Sequence, residues 1–93
     1  MLDPAKVQTA LDAVARLEQR AVQLQKECSD DQTLAGILTT YISGTREYKD
    51  ALTILQQASP DLPEFQRKLK AGDDLRHDAC VRFDQRYSLT KVH

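Results

Sequence analysis

The sequence predicts an all-α fold, a three-helix antiparallel (up-down-up) bundle with coiled-coil-like seams. Three observations carry that expectation. Apolar residues recur at alternating steps of three and four through three long stretches, which places them along one face of a helix. Asp-Pro, Ser-Asp-Asp and Ser-Pro-Asp punctuate those stretches where helices start and stop. No segment shows the strict apolar/polar alternation of a half-buried strand.

The first helix is expected over about residues 4–28. Asp3 can cap its free amides, and Pro4 suits the first helical position because its missing N–H is not needed there. Val7, Ala10, Val14, Leu17, Ala21, Leu24 and Cys28 form the seam, with Leu11 widening it. Asp12 and Arg16 are spaced as a supporting pair one turn apart. Continuing this helix would bring Asp31 into the seam, so a reversal is expected at Ser29-Asp30-Asp31-Gln32, which fits a capping box.

The central helix, about residues 30–58, carries the seam around which the rest is organised: Leu34, Leu38, Tyr41, Thr45, Tyr48, Leu52 and Leu55. A second stripe runs through Ile37, Gly44, Ala51 and Ala58, with Ile42 and Ile54 adding apolar surface. A helix apolar on more than one face lies between two neighbours. Gly36 falls on the outer face. Gly44 sits beside the seam and is compatible with close backbone contact, a kink or a break, of which an uninterrupted helix is the expectation.

Ser59-Pro60 ends the second helix, and Asp61 and Glu64 form a capping box for a third over about residues 61–87. Its apolar positions are Leu62, Phe65, Leu69, Leu75, Ala79, Phe83 and Tyr87. Gly72-Asp73-Asp74 offers a place for a break. After Tyr87 the pattern fades, and residues 88–93 read as a frayed tail.

Function is far less legible. The chain has 93 residues and a net charge of -1, so it makes one small domain without the basic excess that phosphate neutralisation demands. The bases of the third helix are offset by Asp61, Glu64, Asp73, Asp74, Asp78 and Asp84, which makes a nucleic-acid-binding regulator a lesser alternative. No apolar run is long enough to cross a membrane, and no leader is visible. With two cysteines outside any metal or redox spacing, the expected location is cytoplasmic with reduced thiols. Cys28 and Cys80 read as small packing residues, offset too far for a disulfide.

The densest polar cluster is Gly72-Asp73-Asp74-Leu75-Arg76-His77-Asp78. Asp73, Asp74 and His77 could share a face and form part of a metal-binding enzyme or sensor, but the second ligand pair of a bundle site is missing. The simpler reading is a solvated face with an Asp78–Arg82 pair. No catalytic constellation, cofactor motif or metal site is assembled. The expected function is therefore a non-catalytic protein–protein interaction module, a small adaptor, chaperone or inhibitor. Ile37, Tyr41, Ile42, Gly44 and Tyr48 are its expected partner-binding region. A core this small predicts that another chain covers the spare apolar stripe, either a different protein or a second copy in a homodimer. In size and helical character the chain resembles small helical secretion chaperones and phage-encoded inhibitors; no motif carries that resemblance further.

Overall fold

The computed structural model describes residues 3–87. They form three helices, α1 (Pro4–Glu27), α2 (Gln32–Ile54) and α3 (Leu62–Tyr87), with no strand among the described residues. The tail expected over 88–93 lies outside them. No helix among the described residues is long and apolar enough to cross a membrane.

The helix starts follow local chemistry. Asp3 accepts a bond from the Ala5 amide at 2.9 Å, and Pro4 opens α1. Asp61 accepts from the Glu64 amide at 3.1 Å, while its carbonyl accepts from Phe65. Glu64 is then held by Arg67, one turn on. The start of α2 differs from expectation. Its cap is Asp31, which accepts from the Leu34 amide at 3.0 Å, so the helix begins at Gln32 and the acids precede its first turn. The Asp31 amide bonds back to the Cys28 carbonyl, which closes the reversal without a glycine.

The end of α2 also differs: regular helix stops at Ile54, four residues short of the expected boundary. The amides of Leu55, Gln56 and Gln57 bond to carbonyls only three residues back. This tightening precedes Ser59-Pro60, where proline supplies no N–H and pushes its predecessor out of helical geometry. Both Gly44 and Gly72 lie within uninterrupted helix.

α2 is the centre of the molecule. It packs against α1 and more extensively against α3, as in a helical bundle. The pairs between α1 and α2 run in opposite sequence order: Gln8 with Gln56, Glu18 with Arg46 and Lys49, Gln25 with Thr39. Those between α2 and α3 do the same: Asp50 with Lys68, Gly44 with Gly72, Thr40 with Arg82, and Asp31 with Arg86. The third side of a closed triangle is missing, because no Cα of α1 comes within 8 Å of one in α3 among the described residues.

The reason lies in the two faces of α2. Ala35, Thr39, Arg46 and Lys49 reach α1, whereas Gly44, Thr40, Glu47 and Tyr48 reach α3 from the opposite side. At the α2–α3 crossing the two glycines oppose one another. A β-carbon on Gly44 would stand 3.0 Å from the Gly72 carbonyl oxygen, and one on Gly72 would stand 2.9 Å from that of Gly44. Only glycine permits this approach. The space also admits the Arg76 stem over Gly44 and the Tyr48 ring over Gly72.

Buried apolar residues are correspondingly concentrated on α2: Ile37, Leu38, Ile42 and Ala51, with Ala79 from α3 and Val7 and Ala21 from α1. Thr45 is 1% exposed, and its hydroxyl is satisfied by donating to the Tyr41 carbonyl at 2.9 Å. The α1–α2 seam relies on polar bridges as well. Glu18 accepts from both Arg46 Nε and Lys49 Nζ at 2.6 Å. The Lys49 and Arg46 hydrogen bonds, in that order, hold its carboxyl below the usual glutamate range.

Candidate functional site

Because α1 and α3 stand apart, apolar side chains are left uncovered on both of their inner edges. Leu17 and Leu24, seven residues apart on α1, remain 41% and 42% exposed. They border a hollow of about 230 Å³ whose lining also includes Arg20, Ala21, Leu38 and Tyr41. On the α3 side a larger hollow, about 620 Å³, is lined by Ile37, Leu38 and Tyr41 together with His77, Cys80, Val81, Phe83 and Asp84. Leu38 and Tyr41 belong to both. The two hollows therefore adjoin along α2, on either side of Leu38 and Tyr41, and together make an apolar trough with α1 and α3 as its walls.

At one end of the trough a guanidinium is held between aromatic rings. The Arg76 Cζ lies 5.2 Å from the Tyr41 ring centroid and 4.8 Å from that of Tyr48. Arg76 also donates to the Tyr41 hydroxyl at 3.4 Å. Its Nε is buried without a hydrogen-bond partner, and no carboxylate pairs with it among the described residues. Cation–π contacts of this kind fix a flexible side chain without neutralising it. At the other end Asp31 ties α3 to the start of α2, accepting from Arg86 at 3.1 Å and from the Tyr87 hydroxyl at 3.4 Å. The Leu34 amide and then Arg86 keep the Asp31 carboxyl below the usual aspartate range.

The expected partner-binding residues separate into distinct environments. Tyr41 lines the trough, and Ile37, only 3% exposed, lies in the core beneath it. Ile42 is 5% exposed and belongs to the core. Gly44 is buried at the glycine crossing, and Tyr48 is occupied there with Gly72 and Arg76. The spare stripe of α2 is thus largely taken up inside the chain, while the uncovered surface sits on the neighbours. Leu17, Leu24 and Phe83 were assignable from sequence only to core seams, and Cys80 only to packing. A usable signal was present on α1: Glu18 and Gln25 follow Leu17 and Leu24 directly, and these polar residues form the hydrogen bonds to α2.

One thiol differs from expectation as well. Both are free; Cys28 is half-buried, but Cys80 is exposed on the trough wall rather than packed. In the Asp73/Asp74/His77 cluster, Asp74 pairs with Lys70 at 3.1 Å and His77 edges the larger hollow. Among the described residues no three His, Cys, Asp or Glu side chains converge as a group able to hold a metal ion. The Asp78–Arg82 pair is present at 3.5 Å, and Arg82 also donates to Thr40 at 3.0 Å. Comparison of the chain with family models, curated proteins and solved structures returns no match.

Proposed function

We propose that this chain is a non-catalytic protein-docking module of the adaptor, chaperone or inhibitor kind, built as an up-down-up antiparallel array and binding protein through the trough. The observation that carries the reading is the placement of Leu17 and Leu24 on one wall and Cys80 and Phe83 on the other, joined by Leu38 and Tyr41. Large apolar side chains scattered singly need no explanation, but a continuous apolar hollow rimmed by charged residues marks an interaction surface. Its elongated form between two helices suits a helical partner laid along the groove. Tyr41 supplies the aromatic anchor, and its hydroxyl, already engaged by Arg76, presents a defined polar edge.

The test is position-resolved photo-crosslinking in the native host, with benzoylphenylalanine placed singly at positions 17, 24 and 80 and, as outer-face controls, at 19 and 43. The expected result is protein adducts from the trough positions and none from the controls. Adducts of equal yield from both sets would overturn the reading.

A further inference from the structure

We infer that the occupant of the trough is a second copy of this chain, seated trough to trough about a twofold axis running along α2. The inference rests on the docking reading above and names its partner. Its basis is a match between the two walls that one chain cannot satisfy by itself. Glu18 meets Arg46 and Lys49, and Gln25 meets Thr39, so Arg20 stands level with the middle of α2 near Gly44. Gly44 in turn faces Gly72 of α3. Arg20 on one wall and Asp73 on the other therefore stand at the same height, separated by the width of the trough.

Arg20 lines the smaller hollow directly. Asp73 lies one turn before His77, on the stripe that continues through Cys80 along the larger one. Both are exposed, and neither has a hydrogen-bonding or ionic partner among the described residues. A twofold rotation along α2 exchanges the walls and keeps the height. It sets Arg20 of each copy over Asp73 of the other, and Leu17 over Leu69, which is itself 36% exposed. An isologous interface requires such self-complementarity, with residue i meeting j and j meeting i. A foreign helix gives no reason for opposite charges at matching heights on the two walls.

The test is light scattering coupled to size exclusion on reduced wild-type protein, Arg20→Asp and Asp73→Arg, each alone and as an equimolar mixture of the two variants. The wild type is expected to dimerise. Each variant creates two like-charge contacts per dimer and weakens association by about tenfold. The mixture restores wild-type association, because each variant then meets its complement. Both substitutions are on exposed positions, and circular dichroism of each variant checks that it remains helical. A monomeric wild type at every concentration overturns the inference and leaves the docking reading to the crosslinking pattern. A dimer unaffected by either substitution, or a mixture no better than its components, also overturns it.

Discussion

Gly44 and Gly72 illustrate how a locally unfavourable residue is kept for a contact that local sequence does not reveal. Each costs about 1 kcal/mol in a helix interior relative to alanine. At the crossing a β-carbon on Gly44 would meet the Gly72 carbonyl at 3.0 Å and the Arg76 amide nitrogen at 3.1 Å, groups unable to move without shifting a helix. Gly44→Ala is therefore expected to destabilise the protein by about 1–2 kcal/mol, overpacking exceeding the gain in helix propensity. At Gly36 the nearest neighbour of an added β-carbon is the end of Arg82 at 3.8 Å, an ordinary contact. Gly36→Ala is expected to stabilise by up to about 1 kcal/mol. Urea unfolding of the two variants checks the opposite signs; equal effects would contradict the account of the crossing.

At the scale of the elements, the two helix pairs are held by different means. α2 and α3 share the glycine crossing, the Tyr41–Arg76–Tyr48 stack and the Asp31 clamp. α1 rests on α2 through a narrower surface, two buried side chains and solvent-accessible bridges at Glu18 and Gln25. Local opening follows the weaker interface. Hydrogen exchange under native conditions is therefore expected to release the central amides of α1 at a lower opening free energy than those of α2 and α3. Equal protection in all three helices would contradict it.

The same contrast explains what was legible from sequence. Periodicity and caps located the helices, because both are set by neighbours within a turn or two. Asp3 and Asp61 act as read, whereas the choice of Asp31 over Ser29 depended on how the chain turns back at Cys28. The partners of each face were not legible. Leu17 and Leu24 fit a core seam by spacing alone, and only the pull of Gly72 toward Gly44, drawing α3 to the far side of α2, leaves them uncovered. Likewise Tyr48 has the profile of an interface anchor, but it is consumed by a glycine 24 positions away.

For the whole molecule, the decisive feature is the open side between α1 and α3. An array of three helices in which the backbones of the outer two stay more than 8 Å apart leaves its middle helix accessible along one face, and here that face is apolar. Covering it would bury Leu17, Leu24 and the half-buried Tyr41 more completely, which is the driving force available to a partner. Cys80, exposed on the trough wall, reports directly on that coverage. Whether the trough is covered is read from the alkylation rate of Cys80 in Cys28→Ser protein, from nanomolar concentration upward. The expected rate falls as concentration rises and the trough is covered, and Arg20→Asp restores it toward the dilute value. A rate independent of concentration in both proteins, and unchanged when native host extract is added, would contradict that coverage.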